Sequence, residues 1–218
     1  MLRSQIKGWI KTQLGYPQPE PPGEKGPDFY DRTFFEDANW RGHYTQSVDY
    51  YIWTVIVDRV RRRKPRSILE IGCGSGQLAH AIYDSGIVRS YVGFDFAAAR
   101  LNQARVNVPD YRFEVADAFQ TDLYDTVDYD LVICTEFLEH VERDLTVIER
   151  IRRGSRIIGL VPNFAWVSHV RYFKSTDEVA ERYGPYFSDL SVDEIPMKVR
   201  GSIAFVFEGV RASQRTSS

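Results

Sequence analysis

The chain has little of what staples or anchors a fold: its 218 residues hold 2 cysteines, 2 methionines and 4 histidines. Cys73 lies in a glycine-rich turn and Cys134 in an apolar run, a usage that fits a reduced compartment better than a disulfide framework. No stretch approaches the roughly 18 consecutive apolar residues that a membrane span needs, and the first residues lack a signal-peptide hydrophobic region. A soluble, cytoplasmic protein is the expectation. Charge of one sign is missing too: the formal net charge of −2 creates no global positive field, so a nucleic-acid partner is not expected and a small molecule is.

What is present is a core's worth of apolar material, 43% of residues with 14% aromatic, enough for one substantial domain and too little for two. Leu2, Ile6, Trp9, Ile10 and Leu14 recur at helical spacing with Arg3, Lys7 and Lys11 elsewhere on the wheel. Such a helix 1–14 can touch a membrane surface, although docking on its own domain or on a second protomer is the plainer reading. Five prolines between Pro17 and Pro27 make a linker, which gives a segment 1–27, a cap 28–64 and a main domain 65–218. The cap is aromatic-rich and mostly helical, and ends in a basic run (Arg59, Arg61, Arg62, Arg63, Lys64, Arg66) before and just after Pro65. Cations in a last helical turn complement the helix dipole more often than they bind RNA.

Beyond Pro65 short β-branched runs alternate with helical stretches. Strands are expected at 67–71, 90–95, 111–116, 129–134 and 156–161, and helices near 76–85, 97–106 and 141–152. That alternation implies a parallel sheet with helices on both faces. The last two runs, 190–196 and 202–210, are too close for a crossover helix and must pair antiparallel.

Strand 67–71 runs into Gly72-Cys73-Gly74-Ser75-Gly76 and then into a helix. Strand, glycine turn and helix N-terminus let the backbone approach a ligand and offer it free N–H groups. A dinucleotide fingerprint wants its third glycine one position later, where this chain has Gln77. The next strand ends in Asp95, 19 residues past Gly76, where a carboxylate can accept both hydroxyls of a ribose. Asp117 ends the third strand on the same edge of the sheet and suits an exocyclic amine; the plainer reading makes both acids turn or cap residues.

Through Glu70-Ile71-Gly72-Cys73-Gly74-Ser75-Gly76, Gly93-Phe94-Asp95, Ala116-Asp117-Ala118 and Thr135-Glu136-Phe137-Leu138-Glu139-His140-Val141, residues 66–162 resemble the class I S-adenosylmethionine-dependent methyltransferases. The resemblance implies a Rossmann-like, doubly wound α/β fold in three layers (α/β/α), with a seven-stranded sheet whose last strand is antiparallel, here carrying a helical aromatic N-terminal cap. It also implies S-adenosylmethionine as cofactor, held by Glu70, Gly72, Cys73, Gly74, Gly76, Asp95, Phe96, Asp117, Ala118 and Thr135. The glycine loop would meet the methionine moiety, Asp95 the ribose, and Asp117 with Ala118 the adenine.

Glu136, Glu139 and His140 stand at i, i+3 and i+4, which in a helical turn puts them on one face, and His169 follows the fifth strand. Two carboxylates and imidazoles facing one point can ligate a divalent cation, Mg or Zn, while helix-start packing is the bland alternative. The pattern is similar to that of two methyltransferase branches, the ubiquinone-biosynthesis O-methyltransferases and the small-RNA 2′-O-methyltransferases, whose E-x-x-E-H motif and downstream histidine hold a metal. The similarity implies Glu136, Glu139, His140 and His169 as ligands. His140, Glu136 and His169 are the expected catalytic residues, with His140 as general base. Arg41, His43 and Tyr44 of the cap, and His169, Arg171, Tyr172, Lys174, Tyr183 and Tyr186 after the fifth strand, are the expected walls of the acceptor pocket. The expected activity is O-methylation of a sugar or secondary-metabolite hydroxyl by a monomer or homodimer. Methylation of an RNA ribose, and cofactor binding without turnover, are the alternatives.

Overall fold

The computed structural model describes residues 22–197 and 201–212; the expected helix 1–14 and the start of the proline linker lie outside them. The linker's described end is docked rather than free. The Gly23 N–H donates to Val167 O at 3.2 Å, and the Glu24 carboxylate accepts from the Glu142 N–H at 2.7 Å. Helix α1 (Pro27–Glu36) starts on Pro27, inside the expected linker. At a first helical position the missing proline N–H costs nothing, because no carbonyl waits for it. Two 3₁₀ turns, Ala38–Trp40 and Tyr44–Gln46, lead to α2 (Tyr50–Arg63), which buries Ile52, Trp53, Ile56 and Val60 along one stripe. Lys64 ends it in the left-handed conformation (φ 50°), immediately before Pro65.

The main domain runs β1 (Ser67–Ile71), α3 (Gln77–Asp84), β2 (Ser90–Asp95), α4 (Ala98–Asn107), β3 (Arg112–Val115), α5 (Leu123–Thr126), β4 (Leu131–Thr135), α6 (Asp144–Arg150), β5 (Arg156–Pro162), α7 (Thr176–Tyr183), β6 (Phe187–Pro196) and β7 (Ile203–Arg211). The seven strands lie in the order β3-β2-β1-β4-β5-β7-β6. The first five are parallel, and β7 pairs antiparallel with both β5 and β6. The strands fall where the apolar runs placed them. The single turn α5 was not expected, and α6 begins at Asp144 instead of near 141 because Leu138–His140 is a 3₁₀ turn.

Alternate residues of the central strands feed two cores. Ile68 packs with Ile56, Val60, Ile82 and Leu101 beneath α2, α3 and α4, whereas Leu69 and Ile71 pack with Tyr124, Ile148, Val179 and Tyr183 beneath α5, α6 and α7. The three layers follow directly. Tight stacking at the β5–β7 seam depends on Gly159, where an added Cβ would fall 2.1 Å from Phe207 Cζ. The basic run at the end of the cap is paired: Arg59 binds Asp193 and Glu208, Arg63 binds Glu208, Arg62 binds Asp58, and Arg66 faces Asp130. Four of its six cations thus lock helix and loop onto the sheet or shield a neighbour.

Candidate functional site

Strand order reverses between β1 and β4: the chain passes outward from β1 through β2 to β3, then returns to the far side of β1. At that switch point the two connecting loops diverge and leave a crevice above the C-terminal ends of the strands, where open α/β sheets bind ligands. Both sequence constellations open there, one after β1 and one after β4. They touch, since a Cβ on Gly72 would lie 2.5 Å from the ring of Phe137.

Gly72, Gly74 and Gly76 all hold positive φ (72°, 53° and 75°), which a side chain would strain. Asp95 braces the loop: its carboxylate accepts from the Gly74 N–H at 3.0 Å and from the Ala97 N–H at 2.9 Å. Burial raises its pKa, against the pull of these bonds and of Arg100. Glu70 lies behind the loop, hydrogen-bonded by the Tyr91 hydroxyl and pushed up to about 7 by burial. Cys73 and Thr135 are buried, and Phe96 meets the ring of Tyr30 at 5.4 Å. Asp117 also performs the turn role: it accepts from the Phe119 N–H at 2.7 Å and the Gln120 amide at 2.8 Å, next to buried Ala118.

After β4 the backbone departs from the helical turn expected for Glu136 to His140. Glu136 takes a positive φ of 51° and only Leu138–His140 is helical, as a 3₁₀ turn. The convergence therefore comes from a kink and from the β5–α7 loop. Ligand atoms of Glu136, Glu139, His140 and His169 lie within 4.8 Å of one another. His140 Nδ1 faces Ser168 O and His169 Nδ1 faces Phe164 O, each at 3.0 Å. A carbonyl can only accept, so both Nδ1 atoms carry the proton and both Nε2 lone pairs remain free. Glu139 is fully buried and neither of its carboxylate oxygens has a hydrogen-bond partner.

Burial dominates the titration of this group. It lifts Glu136 to about 7, with repulsion from Asp49 adding to it, and lifts Glu139 well above the carboxylate range with Glu136 as second cause. Burial, then His169, depresses His140 to about 3, and burial lowers His169. An imidazole so depressed is a poor proton acceptor at neutral pH, which argues against His140 as general base. Two carboxylates and two neutral imidazoles, with both Glu139 oxygens left without a partner, fit a divalent cation by number, type and outer-shell support.

The expected pocket walls fare differently. Arg41 donates to the carbonyls of Phe34 and Phe35 at the end of α1. His43 and Tyr44 turn to His80 and Asp84 on α3. Arg171 is a brace, donating to Leu138 O, Val141 O and Glu142 O, while Tyr183 binds Asp144 and Tyr186 is buried. The Lys174 N–H is bonded to Glu178, and Tyr172 is exposed. Two other groups face the site instead: Tyr30, one of the rings of the aromatic cap, which meets His140 edge-on at 6.0 Å, and Asp49, which was not foreseen and whose charge reaches Glu136. Arg100 was missed as well. It donates to Tyr30 O and Thr33, lies over Tyr30 and Trp40, and so ties the cap to α4. No motif marks these residues, because a cap and its host meet only in three dimensions.

Residues 68–156 match the methyltransferase domain family. Ubiquinone biosynthesis O-methyltransferase of Histophilus somni (strain 2336) is 33% identical over 96 residues, and that of Pseudomonas aeruginosa (strain LESB58) 35% over 94; each match takes 40% of this chain and 39% of the relative. The chain thus spans about two fifths of the length of these curated relatives. Among solved structures, the DhpI-SAH complex is similar with a TM-score of 0.64 and 18% identity, over 86% of this chain and 96% of that one. The methyltransferase domain of bacterial CtHen1-C gives 0.58 and 17%, over 76% and 100%. An O-methyltransferase family protein from Burkholderia thailandensis gives 0.63 and 11%, over 97% and 70%. The fold is the Rossmann-like α/β fold of the class I methyltransferases.

Proposed function

We propose that the chain is an S-adenosylmethionine-dependent O-methyltransferase whose acceptor is the hydroxyl of a small molecule, a sugar or a secondary metabolite. One observation carries this reading: a positive-φ glycine loop braced by Asp95 and a Glu-Glu-His-His group, with Glu139 and His169 buried and Glu136 and His140 half-buried, share one crevice at the switch point. The glycine loop and Asp95 are suited to the methionine and ribose parts of the sulfonium substrate, and Asp117 with the Ala118 backbone to its adenine. The curated relatives, which are O-methyltransferases by name, agree with an oxygen acceptor.

Glu136, Glu139, His140 and His169 are the residues that would hold a divalent cation. Bound there, such an ion supplies a Lewis acid that makes a hydroxyl far easier to deprotonate. The chain's own part is to place and dry the acceptor. Phe137 closes on Gly72 and the Tyr30 ring meets His140 from the cap, two rings that would help keep water from an acceptor bound between them. In the site without an ion, Glu136, raised to about 7 by burial, is better matched than His140 to take the hydroxyl proton as the oxygen–carbon bond forms and the carbon–sulfur bond breaks.

Calorimetry with S-adenosylmethionine and its demethylated product tests the cofactor. Transfer of label from S-adenosylmethionine to panels of sugar and phenolic hydroxyls tests the acceptor, with and without chelator. Binding of neither cofactor form refutes the reading. Binding with no transfer to any panel leaves a cofactor-binding protein without this activity.

A further inference from the structure

All four histidines of the chain lie in two pairs, and only one pair belongs to the site above. His43 and His80 form the other, with ring centroids 4.7 Å apart, and together with Asp84 they bring one ligand atom each to within 4.8 Å of the others. His80 and Asp84 sit one turn apart on α3, with His80 Nε2 at 3.7 Å from Asp84 Oδ1. His43 arrives from the cap, at the start of the Tyr44–Gln46 turn.

Each end of the group has an outer partner. The Tyr44 hydroxyl donates to Asp84 Oδ2 at 2.8 Å, which holds the carboxylate and leaves Oδ1 on the His80 side. His43 Nδ1 accepts from the Thr45 N–H at 3.3 Å and lies 2.8 Å from Thr45 Oγ1, contacts that hold the ring and leave Nε2 as its outward atom. Donors around a tetrahedral zinc ion with bonds of about 2.1 Å stand about 3.4 Å apart, so rotamer adjustments within this cluster suffice to close it. His43 and Asp84 are exposed, which gives an ion a way in and leaves a fourth position for water.

We propose that His43, His80 and Asp84 form a second metal site, for a borderline divalent ion such as Zn²⁺, which clamps the cap onto α3. The helix it grips starts directly after Gly76, and Gln77 in its first turn already donates to Asn39 O at 2.7 Å and Gly42 O at 3.0 Å. An ion here therefore fixes residues 38–46 against the helix that carries the glycine loop.

The test uses zinc alone and the full chain. A Glu139→Gln/His169→Asn background removes the first cluster, and titration calorimetry follows Zn²⁺ uptake. One equivalent is expected, together with a rise in melting temperature and slower amide exchange over 38–46. His43→Ala should weaken binding on the order of 100-fold and Tyr44→Phe, which keeps all three ligands, about tenfold. His43 is exposed, so its loss leaves the fold intact, and circular dichroism checks this. No uptake at submillimolar zinc, or uptake unchanged in His43→Ala, overturns the proposal. Because the readouts are metal content and exchange, the result stands whether or not the chain transfers methyl groups.

Discussion

Substituting Glu136 by glutamine should stabilise the metal-free protein, and more so as pH rises. Burial raises the folded-state pKa of Glu136 from 4.5 to about 7. An acid raised in this way favours folding while it is protonated, and the advantage is lost as pH climbs from the unfolded value through the folded one. Linkage gives a cost of about 3 kcal/mol near pH 8 and about 1 kcal/mol near pH 5. The glutamine variant carries none of it, so the stability gap between variant and wild type should widen by about 2 kcal/mol over that interval. For a chain of this size that is roughly 4–8 °C in melting temperature. The depressed histidines have the opposite slope, but both proteins contain them and the difference cancels them. Thermal melts in chelator across this pH range measure the gap. A gap that stays constant with pH would show that Glu136 is not held as an uncompensated buried acid, and the argument for a cation-shaped hole would fall with it.

Asp95→Asn should weaken S-adenosylmethionine binding by about 10- to 100-fold, since one or two charge-assisted hydrogen bonds are lost; calorimetry reads it, and an unchanged Kd would move the ribose elsewhere. Gly159→Ala puts a methyl group 2.1 Å from Phe207 Cζ and should cost about 1–3 kcal/mol in denaturant unfolding, with a silent substitution contradicting the packing of β5 on β7. Asp144→Ala leaves Arg182, Arg171 and Tyr183 without their buried partner and should cost about 3–5 kcal/mol. If RNA were the acceptor, affinity would fall steeply with salt; with Arg59, Arg62 and Arg63 engaged by acids, a slope of log K on log salt near zero is expected for an RNA oligomer.

The sheet was readable because its strands are nearly continuous apolar runs: every residue of β1 and β4 is buried, and such runs between glycine loops and helical stretches have few alternatives. The glycine loop and the Glu136–His140 segment were readable because each is contiguous in sequence. What periodicity could not show was how the second segment folds. A helical spacing of i, i+3, i+4 suggested a turn of α-helix, yet Glu136 sits in the left-handed region and the ligands converge through a kink. Nor could it separate polar residues that face the crevice from those that hold loops together. Arg171 and Tyr183 looked like pocket lining and are structural, because a carbonyl cluster and a buried carboxylate leave no trace in local spacing. The cap failed for the same reason: His43 and Tyr44 read as acceptor contacts because their partners, His80 and Asp84, lie some forty residues away.

The strain at Glu136 has a visible support. A non-glycine residue at positive φ persists only where its surroundings over-determine it. Here Phe137 is wedged against Gly72, the Val170 N–H holds Glu139 O at 2.8 Å, and Arg171 collects three carbonyls from the same turn. Arg171 is itself steadied by Asp144, which Arg182 and Tyr183 anchor from α7. An unpaired buried carboxylate such as Glu139 gains the folded state nothing and costs it desolvation. A wedge, a three-carbonyl brace and a buried ion-pair network together keep that carboxyl group in the crevice against this cost, so Arg171→Ala, which removes the brace, should let the Leu138–His140 turn relax and speed its amide exchange.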